Sequence, residues 1–200
     1  ALKVYTTLSD EMYRAIILWR DMYYNAPPWK SETVQTLNLP AVIATKIAKM
    51  VTVEAQCNIT GSTKAEWIEQ QFAPTWNNLR NITEYAAAKG GLVFKPYVEG
   101  QNIVIDCVQA DRFYPTAHDS NGKITGGIFI AQKTIGKITY TRLERQEYKD
   151  GVHIITQQAY CSNTPGMLGT PCQLTDVPEW ADIQPETWIK NIDQPIFVYW

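Results

Sequence analysis

The stretch 83–116, TEYAAAKGGLVFKPYVEGQNIVIDCVQADRFYPT, holds a helix end, a double glycine, two strand-like runs and a compact charged and aromatic segment. Its first part, AAAK, is a strong helix former. Gly90 and Gly91 follow, and glycine tolerates the left-handed conformation just past a helix C-terminus. Lys89 sits where a cation meets the negative end of the helix dipole. LVFKPYV and IVIDCV then read as strands around a turn at Glu99-Gly100-Gln101-Asn102. Helical periodicity lies mostly before this stretch and strand periodicity mostly after it, so it joins two halves of the fold.

Upstream, Ser9 or Asp10 caps a first helix. Its apolar residues Met12, Ala15, Ile16, Trp19, Met22 and Tyr23 recur at the spacing of one buried face. Asn25-Ala26-Pro27-Pro28 ends that helix, because Pro27 keeps Ala26 out of helical angles. Trp29 then reads either as a lid over the helix end or as an aromatic anchor for a neighbouring subunit. Asn38 is the candidate cap of a second helix, with Pro40 tolerated in its first turn. Leu39, Ile43, Ile47, Met50 and Val51 predict its buried face, with Lys46 and Lys49 on the other. Thr63 and Glu66 have capping-box spacing for a third helix, whose apolar side is Trp67, Ile68 and Phe72. Pro74 kinks this helix or starts another, which carries Trp76, Leu79, Ile82, Tyr85 and Ala86 up to the double glycine.

Downstream, Ile103, Ile105 and Cys107 alternate with Val104, Asp106 and Val108. A carboxylate on an apolar face is either a group with a raised pKa or, more often, a paired one, and Arg112 is the candidate partner of Asp106. Asp111-Arg112-Phe113-Tyr114-Pro115 predicts a bend into a short edge strand, since Pro115 cannot donate to a ladder. Asn121-Gly122 suits a type I′ hairpin. The runs 127–133, 137–148 and 152–160, with a turn at Asp150-Gly151, predict an antiparallel meander. From Cys161 to Pro185 no period is visible, so this segment is expected to wrap the surface or meet a partner, stapled by Trp180, Trp188 and the closing PIFVYW.

Length and composition set the bounds. A chain of 200 residues buries ~70% of its unfolded surface and needs no metal or disulfide to fold. Only 19% of residues are charged, while seven Trp and eleven Tyr are many for this length. Low charge with abundant aromatics favours a chain that buries surface against partners. The net charge of −2 argues against broad attraction to nucleic acid or membranes. The sequence has no apolar run of ~18 residues and no apolar core of a signal peptide near its start. It begins without Met and stops at Trp200 inside an apolar run, which leads us to expect a fragment of a longer chain. Cys57, Cys107, Cys161 and Cys172 show no metal-ligand spacing. Cys161 and Cys172 flank a Pro/Gly loop that lets them pair, but the expectation is four reduced thiols. Two glycosylation sequons, at Asn58 and Asn81, read as chance.

No phosphate-binding loop, dinucleotide fingerprint, zinc-protease motif or nucleophile elbow is present. His118 and His153 lie near turns, and a Ser-His-Asp set assembled from them would be arbitrary. Asp106 and Asp111 are the nearest approach to a carboxylate pair, but their odd spacing sends them to opposite faces of a continuous strand. Lys133, Lys137, Arg142, Arg145 and Lys149 form the densest basic region. Glu144 and Glu147 interrupt it, so it reads as a mixed-charge sheet surface rather than a DNA track. We assign no catalytic, cofactor-binding or metal-ligating residue.

The ordered set NAPPW (25–29), LNLPAVIATKIAKMV (37–51), AKGGLVFKPYVEG (88–100), VIDCVQADRFYPTAHDSNGKIT (104–125) and LTDVPEWADIQPE (174–186) resembles the portal proteins, or head-to-tail connectors, of tailed bacteriophages of Gram-positive hosts. The resemblance spans nearly the whole chain. It implies a structural role in a ring, usually of twelve subunits, at one capsid vertex. DNA would pass through that ring, with terminase, scaffold and head-completion proteins as partners. It transfers no catalytic residue, and it places the DNA-contacting parts of the family further along than residue 200. The combined expectation is a single α+β domain resembling the outer, wing-like part of a portal subunit. Its helical part would be 1–90, its antiparallel strands 91–160 and its extended wrapping segment 161–200. Trp29, Arg112, Tyr114 and Trp180 are the candidate interface or core residues. The rival expectation is a small-molecule-binding module or enzyme with an aromatic pocket, or another capsid or tail-assembly protein.

Overall fold

The computed structural model describes residues 5–164 and 166–200. In chain order the elements are α1 (Asp10–Tyr23), α2 (Leu39–Thr52), α3 (Ala65–Asn77), α4 (Leu79–Lys89), β1 (Leu92–Glu99), β2 (Asn102–Gln109), β3 (Phe113–His118), β4 (Ile124–Ile135), β5 (Ile138–Lys149), β6 (Val152–Ser162), β7 (Thr170–Cys172), β8 (Glu186–Lys190) and β9 (Val198–Tyr199). This is an α+β fold with antiparallel sheets. The sequence reading groups 1–200 as one domain with a divide near residue 90. The described backbone separates into two compact units that meet in the chain after Asp111. The division comes later because the β1–β2 hairpin belongs with the helices.

The helical unit runs from Asp10 to Asp111 and takes back Phe197–Trp200. Its sheet has the order β2-β1-β9. Helix α1 starts with Asp10 and Glu11 at its positive end. It stops at Tyr23, and Asn25 adopts the left-handed conformation before Pro27. Of the predicted α1 stripe, Ile16 is buried while Met12 and Trp19 remain exposed. The capping box predicted at Thr63 does not form. Lys64 precedes the first helical residue, and its N–H takes the Ser62 hydroxyl instead. Pro74 lies within α3, which continues only to Asn77 before Asn78 separates it from α4.

The double glycine ends α4 as the sequence predicts. Gly90 has φ +84° and Gly91 φ +138°, and both N–H groups donate to the Ala86 carbonyl at 2.9 Å. A Cβ on Gly91 would lie 2.3 Å from the Tyr199 hydroxyl and 2.9 Å from the Trp200 carbonyl. Both backbone conformation and close approach of the chain end therefore require glycine there. Leu92 and Trp200 exchange two backbone hydrogen bonds, at 2.9 and 2.8 Å, which ties the last residues onto β1. Pro96 sits in this central strand without breaking the ladder, because β9 pairs only with Val93 and Phe94 and has ended before it.

The sheet unit comprises the segment ending at Ser9 and residues 112–196. Its strand order is β3-β4-β5-β6-β7, with β8 also on β6. The predicted meander is β4-β5-β6, and Pro115 lies in edge strand β3. The type I′ geometry predicted at Asn121-Gly122 falls elsewhere. Gly122 has φ +79° but Asn121 is not left-handed; the Asp119 carboxylate holds that turn by accepting the N–H groups of Asn121 and Lys123 at 2.8 and 2.9 Å. Asp150 and Gly151 both have positive φ, as a type I′ turn requires. The 161–185 segment, of which Pro165 lies outside the described residues, is more ordered than its lack of period suggests. It contributes β7 and two single-turn helical segments, 174–176 and 178–180. The cause is apolar burial: Val177 and Trp180 pack with Ala159 on one face of the sheet.

Among the described residues, no helix is long and apolar enough to cross a membrane.

Candidate interaction surface

Helix α2 departs furthest from the sequence reading. Its large aliphatic residues were expected inside; instead Leu39 is 55% exposed, Ile43 56% and Met50 76%, with Ile47 and Val51 exposed as well. Its buried residues are Ala44 and Ala48, and its chief packing partner is α4. The side chains explain this. Alanine lets two helix backbones approach closely, and Ala41, Thr45 and Thr52 complete the same inner face. Thr45 and Thr52 turn their hydroxyls back onto the carbonyls of Ala41 and Ala48 at 2.9 and 2.8 Å, so their polarity is satisfied within the helix. The outer face keeps Leu39, Ile43, Ile47 and Met50 in line, and Lys46 falls among them rather than opposite. Val34, Leu37 and Val53 extend the exposed apolar surface at both ends of the helix. Each half-exposed aliphatic side chain would gain roughly 1 kcal/mol on being covered.

The other sequence-predicted residues fall in both units. Trp29 is 51% exposed, in the helical unit. Arg112 is exposed and donates to the Gln132 side chain at 3.0 Å; Asp106, its predicted partner, instead faces Lys95 across the β1–β2 ladder at 3.7 Å. The register explains the correction, since Lys95 and Asp106 are directly opposed while Arg112 lies past the end of β2. Tyr114 lines a hollow of about 370 Å³ on one face of the large sheet, with Ile128, Ile130, Leu143 and Met167. Trp180 is core, and the Arg142 guanidinium stacks 5.5 Å above its ring.

Charged groups are mostly spent on structure. Lys89, predicted to serve the α4 dipole, is completely buried. Its Nζ meets both Asp111 oxygens at 3.2 Å and the Gln109 side chain, with the Tyr24 ring centroid 5.0 Å away. Tyr23 donates to Glu84 at 2.8 Å, and burial together with that carboxylate pushes its pKa up. In the sheet unit, Glu144, Gln146 and His153 are buried side by side. Gln146 bridges His153 Nε2 at 2.9 Å and Glu144, whose other oxygen lies 3.8 Å from Arg142. Burial lowers the His153 pKa to about 4, against a smaller opposing pull from Glu144. Much of the basic region is neutralised locally: Lys133 pairs with Glu179, Arg142 with Glu144 and Arg145 with Glu147.

A second hollow, of about 610 Å³, lies in the helical unit beside β2 and is lined by Asp106 and Cys107 among others. Burial, reinforced by Asp106, pushes the Cys107 thiol up to about 11, so it stays protonated and unreactive near neutrality. Cys161 and Cys172 are free thiols; burial first, then Cys161, pushes the Cys172 thiol up to about 11. Neither hollow is lined by His118 or His153. Among the described residues no three His, Cys, Asp or Glu side chains are grouped to hold a metal.

Fold and surface thus define an α+β protein of two compact units whose conspicuous feature is an outward apolar helix. No known family model matches the chain, and no curated protein matches it.

Proposed function

We propose that this chain is a structural subunit, or part of one, of a phage or prophage portal ring, and that its role is scaffolding and contact between copies. One observation carries the reading: α2 seats itself on α4 through alanines and leaves its largest aliphatic side chains in water. A chain that keeps such a face gains stability only when another surface covers it. The ordered motifs that resemble the portal family supply the identity of that surface, a second copy in a closed ring. Terminase, scaffold and head-completion proteins are the further partners the resemblance implies, at a capsid vertex of the virion. DNA contact would belong to segments beyond residue 200.

Two measurements test this. Sedimentation of the 200-residue chain at micromolar concentration should show self-association that Met50→Lys with Ile43→Lys abolishes. Negative-stain imaging of the protein encoded by the complete gene should show discrete rings with a central hole. Compact monomers at every concentration, or turnover of a small-molecule substrate, would overturn the proposal.

A further inference from the structure

Strand β2 forms one edge of its three-stranded sheet. In an antiparallel ladder the N–H and C=O of one residue point to the same side, and successive residues alternate sides. The Ile103 N–H points away from β1, because it donates to the Gln71 side-chain oxygen at 2.8 Å. The main-chain groups of Ile105 and Cys107 therefore also point outward, about 7 Å apart along the strand. Gln71, on α3, stands where a neighbouring strand's carbonyl would stand, and it satisfies only the first of the three positions.

The remaining two open onto the hollow of about 610 Å³. One wall is formed by residues 102–107; the other is Pro74 and Thr75 of α3 together with Asn78 and Ile82. That volume falls within the range of ligand-binding clefts. The helical wall blocks edge-to-edge pairing with a second folded sheet, because α3 stands beside the strand. A single extended segment has no such obstacle. Asp106 is half-exposed at this groove; the buried Lys95 approaches one of its carboxylate oxygens at 3.7 Å, and the residues lining the groove add no further cation.

We propose that the β2 edge and the α3–α4 wall form a docking groove for an extended peptide segment of another protein, which adds to β2 as a further strand and places a basic side chain beside Asp106. Main-chain hydrogen bonds at Ile105 and Cys107 would supply binding, and the alternate side chains would supply selectivity. The site is separate from the outer face of α2 and stands whether or not the chain assembles through that helix.

The test pans a random decapeptide display library on the intact chain, then measures the selected peptides by titration and by amide hydrogen exchange. Selected peptides are expected to carry Lys or Arg and to slow exchange at the Ile105 and Cys107 amides at least tenfold. Methylating alternate backbone nitrogens of a selected peptide should weaken binding tenfold or more in one register and leave it unchanged in the other. Asn78→Trp, which fills the groove, should weaken it similarly. Ile105→Pro serves as the second variant: it removes an outward donor, leaves the β1–β2 ladder bonds in place and should give the same loss. Selected peptides that protect α2 instead, or protection of Ile105 and Cys107 by a second copy without peptide, would overturn the proposal. So would binding indifferent to both variants.

Discussion

Helix α2 turns Leu39, Ile43, Ile47 and Met50 toward solvent, whereas strands β5 and β6 bury Glu144, Gln146 and His153. The two regions depart from the usual partition of polarity in opposite directions, and the departures differ in kind. The buried polar groups answer one another: His153 meets Gln146, Gln146 meets Glu144, and Glu144 meets Arg142. Their desolvation is offset in large part within the unit, although Arg142 Nε is buried without a hydrogen-bond partner. The α2 face has no such internal answer, since α4 takes only the alanine side. A polar cluster that pairs mostly within itself points to fold specificity; an apolar face left open points outward, to a partner.

The comparison can be broken first at the buried charges. Lys89→Ala leaves Asp111 buried without its cation and should cost about 3–5 kcal/mol in urea unfolding. A loss below about 1 kcal/mol would mean that water reaches the pair and that internal compensation is not what holds it. The next effect concerns His153. Its folded pKa of about 4 lies below the ordinary 6.5, so the unfolded state binds more protons between those values. Stability is then full above pH 6.5 and should fall by ~3 kcal/mol as pH drops toward 4. Gln146 meets the ring and Glu144 acts on it from the far side of Gln146, and His153→Gln should flatten the upper part of this window, above the range where carboxylates titrate. A variant that keeps the full slope would assign it elsewhere. The smallest expected effect is on α2. Ile43→Lys and Met50→Lys should each change the unfolding free energy of the isolated chain by less than about 0.5 kcal/mol, because the native monomer already exposes both side chains. Their consequence belongs to association alone, and a larger loss would place them in the core after all.

The sheet unit was more legible than the helical unit. Alternation along 127–160 and the turn residues at 119–122 and 150–151 located three strands and the turns before the first and the last of them, although the type I′ geometry expected at Asn121-Gly122 formed at Asp150-Gly151. In the helical unit, element positions were readable but burial was not. Periodicity reports that residues share a face; it does not say which face meets the neighbour. For α2 the sequence offered two faces, one of large aliphatics and one of alanine and threonine, and hydrophobicity favoured the former. Close packing on α4 chose the latter. The groove beside β2 was invisible for a related reason, since it depends on Gln71 reaching a strand that follows it by some thirty residues. The partner of Asp106 was mislaid because strand register, not proximity in sequence, sets who faces whom.

From residues alone came the α+β class, the glycine-terminated helix at 90–91, the hairpin that follows and the meander. Each rests on local backbone preference or on spacing within one element, which a linear chain displays directly. The tertiary structure alone decided the division after Asp111, the burial of Lys89 against Asp111, the order within 161–185 and the outward face of α2. These depend on contacts between segments far apart in the chain, where packing and register outweigh the preference of any single residue.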